Sequence, residues 1–329
     1  MFLVTGGAGF IGSNAAAALE AADADIVISD RLGMGDMKWR NIAKRRLYDI
    51  IPPQALADFL LRFRGKVRGV IHMGGVSTTT ETDVDSVVAS NLRLSIDLWN
   101  HCAEEGIPLV YASSAATYGD GRWGFEDRSD ADYLARLRPL SPYAWSKNLF
   151  DRWVSRAVET GAPAPPRWAG LKFFNVYGPN EYHKRAQRSV AVQLHAQIRE
   201  LGRARLFRSE HPDYPDGGQL RDFVWVGDCV NATLWALQDP AAQSGIYNVG
   251  SGVARSFLDV ASILFKELGV APDVEFIDLP ANLQDKYQYY TCARMDKLKA
   301  AGFAKPLTSL EDGLRRYVGE FLGTEDPFR

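Results

Sequence analysis

With 329 residues, 46% of them apolar and 24% charged, the chain can bury a sizeable core and is long enough for two lobes sharing a cleft. A formal net charge of −2 argues against the broad basic face that nucleic-acid binding needs. Cys102, Cys229 and Cys292 are odd in number and widely spaced, which indicates neither a disulfide framework nor a zinc site, and no metal is expected.

Residues 2–5 (Phe-Leu-Val-Thr) read as a strand that runs directly into Gly6, Gly7, Ala8, Gly9, Phe10, Ile11 and Gly12, followed by a helix over residues 10–22. Each of three glycines has a distinct task. Gly6 turns the chain off the strand, Gly9 lets a pyrophosphate approach bare backbone, and Gly12 lets the helix pack close to the sheet. The helix N-terminus then offers unpaired N–H groups to phosphate. A second strand over residues 26–29 ends at Asp30, placed to bind an adenosine ribose. This strand–turn–helix opening predicts a dinucleotide site. It also leaves no room for a leader segment, and no apolar run approaches the ~18 residues of a membrane span, so the expectation is a cytoplasmic protein.

Arg31 and Lys38 lie close enough in sequence to Asp30 to meet a 2′-phosphate, which favours NADP, whereas Asp30 itself pulls toward NAD. The reading leans to NADP, with NAD as the alternative; Lys44, Arg45 and Arg46 read equally well as a solvated face. Pro53 starts a helical pattern through Leu56, Phe59 and Leu60. Residues 69–72 form a short buried strand ending in His72, which has no metal-ligand spacing and is expected to be structural. A long helix follows over 83–101, carrying Asn91. Residues 108–111 make another strand, running into Ala112, Ser113 and Ser114.

Ser141 and Pro142 open a helix in the favoured cap and first-turn order. On it Tyr143 and Lys147 stand four apart, on one face. A free tyrosine titrates near ~10, and a lysine ammonium one turn away is expected to lower that value. With Ser114 hydrogen-bonding the same substrate oxygen, the trio could take a proton from an alcohol during its oxidation. Further on, helices are read over 189–201 and 227–237, strands over 221–225 and 246–249, a helix capped by Ser256, and a last helix opened by a Thr308–Glu311 capping box.

These motifs resemble the extended short-chain dehydrogenase/reductase superfamily, and within it the nucleotide-sugar epimerases. The specific pieces are residues 4–13, YASSAATYG from Tyr111, YAWSK from Tyr143, FFNVYGP from Phe173, and then Glu181, His183 and Lys184. The resemblance implies a Rossmann-type doubly wound parallel sheet with a smaller, interleaved α/β lobe. It assigns 1–177 and 219–248 to an NADP-binding domain, and 178–218 and 249–329 to a sugar-nucleotide domain.

The activity it implies is inversion of carbon 6 of an ADP-heptose, with lipopolysaccharide core assembly as the use and a homo-oligomer, by family resemblance a pentamer, as the assembly. Cofactor contacts are implied for Phe10, Ile11, Asp30, Arg31, Lys38, Met73, Gly74, Gly75, Val76, Ser77, Asn91, Lys147 and Val176. Substrate contacts are implied for Ser114, Asn175, Phe207, Arg221 and Tyr287, and at the positions of Ala186 and Gln193, where family members carry serine and histidine. Tyr143 and Lys184 would be the two acid/base groups. A family lysine near residues 52–53 has no counterpart, and the loop over 209–220 is longer than usual. A 4-epimerase of the same superfamily and a non-catalytic NADP-binding sensor are the alternatives. Dehydration is disfavoured because Ala115 and Ala116 follow Ser114 where dehydratases carry Asp-Glu.

Overall fold

The structure, a computed structural model, describes residues 1–34, 37–78, 81–280 and 287–329. Twelve strands run in chain order: β1 (Phe2–Thr5), β2 (Ile26–Ser29), β3 (Asp49–Ile51), β4 (Gly69–His72), β5 (Leu109–Ser114), β6 (Trp168–Phe173), β7 (Asn175–Tyr177), β8 (Ala204–Phe207), β9 (Leu220–Trp225), β10 (Gly245–Val249), β11 (Ala254–Ser256) and β12 (Val274–Ile277). Seven of them form one parallel sheet in the order β10-β6-β5-β4-β1-β2-β3. The order reverses at β1, so the crevice between the carboxyl ends of β1 and β4 is the topological switch point, where doubly wound sheets bind ligands. β1, β2, β4 and β6 are almost wholly buried, as a sheet covered on both faces requires.

Two small sheets make up the rest. β9 lies between β7, to which it is parallel, and β11, to which it is antiparallel; β12 pairs with β8. Residues 221–225, read from sequence as a return to the nucleotide domain, therefore belong to a separate three-stranded sheet. The described core falls into two clusters. The larger lies around the seven-stranded sheet, and the smaller gathers Tyr177, Leu194, Ile198, Trp225, Leu264, Leu314 and Tyr317. Phe10, first residue of the helix after the glycine turn, belongs to the smaller cluster. Ala293, Met295, Leu298, Ala301 and Phe303 pack into the larger one, although the chain from 249 onward is expected to lie in the second lobe.

Local sequence accounts for the elements that position the site. Ser141 caps the helix Pro142–Glu159, its hydroxyl accepting the Ala144 N–H at 3.2 Å, with Pro142 in the first turn. The strand expected over 108–111 instead runs as Leu109–Ser114, so Ser114 is its last residue. The helix expected over 83–101 is interrupted by a π-turn, Ala89–Arg93, and Asn91 sits inside it. The last helix starts one residue later than its capping box predicts. Ser309 caps Leu310–Tyr317 by accepting from Asp312, because Thr308 is drawn away to the Asp228 carboxylate. No helix among the described residues is long and apolar enough to cross a membrane.

Candidate active site

The glycine turn has the tight geometry its sequence predicts. Gly6 has φ +64°, and a Cβ there would lie 2.6 Å from the Gly74 backbone nitrogen. A Cβ on Gly12 would fall 2.2 Å from the Gly6 carbonyl oxygen, so helix and turn can be this close only with glycine. The Gly9 N–H donates to that same oxygen at 2.9 Å, and Gly9 is the N-terminal cap of the helix Phe10–Ala21. Just beyond β2, the Asp30 carboxylate accepts the N–H groups of Ala8 (2.9 Å) and Arg31 (2.7 Å). Lys38 pairs with that carboxylate at 2.5 Å and also donates to the Arg31 carbonyl; the Arg31 residue itself is exposed.

On the other side of the crevice, residues 73–77 leave β4 beside the turn: the Met73 N–H donates to the Thr5 carbonyl at 3.0 Å. Met73, Gly74 and Val76 are half-buried, while Gly75 and Ser77 are exposed. Asn91 holds this segment with its whole amide. Its oxygen accepts the Val76 N–H (2.8 Å), and its nitrogen donates to the Val76 carbonyl and to the Ser146 hydroxyl, both at 2.9 Å. Asn91, implied as a cofactor contact, is thus placed as the brace behind residues 73–77. Ser146 in turn donates to the carbonyl of Tyr143 at 2.7 Å, which links the segment to the helix Pro142–Glu159.

His72 extends this network. The Ser95 hydroxyl donates to the Asn91 carbonyl (2.7 Å), so its oxygen accepts from His72 Nε2–H at 2.9 Å. Nδ1 is then the acceptor, taking the Thr5 hydroxyl proton at 2.6 Å, while the Thr5 oxygen accepts the Gly74 N–H at 3.1 Å. Burial, helped by the Lys147 charge, pushes the imidazole down to about 3, so it stays neutral. The unfolded chain takes up this proton below 6.5 and the folded one does not until about 3. Stability from His72 is therefore complete above 6.5 and falls with falling pH, by up to ~1.4 kcal/mol per pH unit within that window. Urea unfolding at pH 7 and pH 5 should show the protein losing about 2 kcal/mol more than His72→Gln does between those conditions. Equal losses would refute this.

Ser114, Tyr143 and Lys147 converge at the end of β5. The Ser114 hydroxyl faces the Tyr143 phenol and acts on it, and it accepts the Ala116 N–H at 3.1 Å, capping the short helix that follows. Burial raises the Tyr143 phenol above its ordinary value and Ser114 pulls it part of the way back. Lys147 is not among the groups acting on it, contrary to expectation. Its ammonium is directed elsewhere, 3.9 Å from where a Cβ on Gly75 would lie, and it interacts with His72 and Asp151. Burial brings Lys147 down to about 8, against the opposing pull of Asp151, and its ammonium makes no hydrogen bond among the described residues.

Beneath this trio lies a pair that sequence reasoning missed. Lys172 and Asp151 are wholly buried, 2.6 Å apart. Tyr111 and Ser113 donate to the carboxylate, and Lys172 also donates to Thr117 at 2.7 Å. The pair ties β5, β6 and the helix of Tyr143 together one residue from Ser114. Its only sequence signal is a lysine in the middle of an otherwise apolar strand.

Lys184 is half-buried, 5.6 Å from the Phe10 ring centroid, and burial depresses it while Glu181 opposes. Among the described residues no hydrogen bond or ion pair joins it to Tyr143, Ser114 or Lys147. Its segment is nonetheless well anchored: the Asn41 amide donates both to Ala8 of the turn (2.8 Å) and to Asn180 (3.0 Å), and Glu181 accepts from Ser189 and Tyr317. Phe207, Arg221 and Tyr287 come together. The Arg221 guanidinium lies 5.3 Å from the Tyr287 ring centre and 5.6 Å from that of Phe257, and Phe207 meets Tyr287 edge-on at 6.2 Å. Arg221 is 7% exposed, and no carboxylate pairs with it among the described residues. Ile11 and Val176 are half-buried against both core clusters, and Asn175 is exposed. Ala186 is exposed, and the Gln193 amide donates to the Arg188 carbonyl (2.7 Å).

A doubly wound sheet, a glycine turn at its switch point, a buried lysine ammonium without an acceptor among the described residues and a Ser–Tyr pair at a strand end fit a nicotinamide dinucleotide. The chain belongs to the NAD dependent epimerase/dehydratase family, whose model matches residues 2–250. It is 47% identical, over the whole of both chains, to the ADP-L-glycero-D-manno-heptose-6-epimerase of Nitratidesulfovibrio vulgaris. The crystal structure of the Helicobacter pylori enzyme of the same name superposes with TM-score 0.79 at 27% identity, over 97% of this chain and 95% of that one. UDP-glucose 4-epimerase of Thermus thermophilus, solved in complex with NAD, gives 0.70 at 26%, over 95% and 96%.

Proposed function

We propose that this protein is a nucleotide-sugar epimerase that inverts carbon 6 of ADP-D-glycero-D-manno-heptose through transient oxidation with bound NADP, giving the L-glycero epimer for a lipopolysaccharide core precursor. The observation that carries this reading is the placement of the Lys147 ammonium beside residues 73–77 at the switch point, with Ser114 at the end of β5 acting on the Tyr143 phenol of the same helix. Gly6, Gly9 and Gly12 with the helix N-terminus hold the pyrophosphate, Asp30 the adenosine ribose, and Lys147 the nicotinamide half. When bound, the nicotinamide supplies the acceptor that takes the carbon-bound hydrogen with its electron pair and returns it. Tyr143 removes the proton from the sugar hydroxyl, and Ser114 holds the same oxygen. After the keto sugar turns its other face, Lys184 gives the proton to that oxygen from the opposite side. Arg221, buried with no carboxylate partner among the described residues, suits the substrate pyrophosphate.

Lys38 supports NADP over NAD: paired with Asp30, it offsets the carboxylate that would repel a 2′-phosphate. The test is NMR of the product formed from ADP-heptose in deuterated water, with NADP and NAD supplied in turn. The L-glycero epimer should form without deuterium at carbon 6 and without stoichiometric reduced cofactor, and more readily with NADP. Turnover of UDP-galactose in place of the heptose would establish the 4-epimerase alternative instead.

A further inference from the structure

The connection between β8 and β9, residues 208–219, has no part in the activity described so far, yet it is firmly built. The Ser209 N–H donates to the Asp216 carboxylate at 2.8 Å, the Gly217 N–H returns to the Phe207 carbonyl at 3.1 Å, and buried Gln219 donates to the Arg208 carbonyl at 3.2 Å. This frame holds two rings against a third. His211 and Tyr214 lie 5.1 and 5.5 Å from Tyr289, centre to centre, and 5.3 Å from each other.

Tyr289 in turn meets Tyr287 at 5.3 Å, and Tyr287 carries the Arg221 guanidinium at 5.3 Å. The array is therefore continuous from the buried cation to the loop, and the Tyr214 phenol acts electrostatically on that cation. The alternate side chains of the same stretch turn the other way. Gln288 donates to the Gly119 carbonyl and Tyr290 meets Phe125 at 6.0 Å, on the side of the segment that follows Ser114. One short stretch thus spans from the reacting end of the cleft to the aromatic array.

A nucleotide sugar has the same order of parts: sugar, pyrophosphate, nucleobase. With Arg221 taking the pyrophosphate, the next group outward is a flat heterocycle, and an aromatic ring face is a surface that receives one. We propose that Tyr214 and His211, with Tyr289, form the stacking site for the substrate's nucleobase, so that the long loop supplies substrate affinity on the far side of the pyrophosphate from the chemistry. The inference rests on the reading of Arg221 in the proposed function.

The test uses protein saturated with NADPH, which closes the dinucleotide site to competing nucleotides, and titrates it calorimetrically with ADP and with inorganic pyrophosphate. Tyr214→Ala should weaken ADP about 5- to 150-fold and leave pyrophosphate unchanged, and Tyr214→Phe should restore ADP binding. Unchanged ADP affinity in both Tyr214→Ala and His211→Ala overturns the stacking site, as does equal weakening of ADP and pyrophosphate. Arg221→Gln reports separately on the underlying reading: it should weaken both ligands, and undiminished pyrophosphate binding there would remove Arg221 from the pyrophosphate site whatever Tyr214 does.

Discussion

Tyr143→Phe should lower turnover of the ADP-heptose by about 10²- to 10⁴-fold while leaving cofactor affinity and the unfolding midpoint close to those of the parent protein. The substitution removes one oxygen. It keeps the ring, and the brace from Ser146 reaches the backbone carbonyl of residue 143 rather than the phenol. What disappears is the hydroxyl on which Ser114 acts and, in the proposed mechanism, the acceptor of the sugar's proton. Because burial holds the phenol above its ordinary value, it must release its own proton to solvent before it can accept that of the sugar hydroxyl. Steady-state rates together with fluorescence titration of the reduced cofactor would measure both halves of the expectation. A variant retaining more than about a tenth of the parent rate would place the proton transfer on another residue.

The second large effect concerns stability. Lys172→Met should cost about 3–5 kcal/mol in urea unfolding, because it leaves the Asp151 carboxylate charged and buried with only hydroxyl donors. Lys172→Met combined with Asp151→Leu should recover much of that loss, since removing both charges removes the desolvation penalty along with the attraction. A loss below about 1 kcal/mol in the single variant would mean that the pair contributes nothing the hydroxyl groups do not already supply. The double variant is also informative about the site: it takes away the charge that opposes the depression of Lys147 to about 8, so its residual activity should fall off at lower pH than that of the parent.

Local chemistry made parts of this molecule readable from its sequence. The glycine turn, β1, β2 and β4 are signalled by steric needs and apolar runs that act over a few residues, and so is the Ser141–Pro142 start of the helix that carries Tyr143 and Lys147. β3 and β12 gave no such signal: Asp49 and Ile50 are exposed and β12 is half-buried throughout, so neither shows a clean apolar face. The tie between Asp151 and Lys172 spans 21 residues and exists only once the helix Pro142–Glu159 is packed on the sheet against β6. Likewise, the four-residue spacing of Tyr143 and Lys147 correctly puts both on one face but says nothing of direction. The ammonium turns to Gly75, and the phenol is left to Ser114. Thr308 and Ser309 stand side by side, and only the position of Asp228 decides which of them caps the helix.

Phe10 gives the glycine turn a second role. Its backbone carbonyl receives Ser13 and Asn14 within the helix behind the turn, while its ring is lodged among the side chains of the smaller core and under Lys184. The turn is thus a rivet through both halves of the molecule. Melting of either half costs the other this contact, so a dinucleotide bound at the turn is expected to stabilise both.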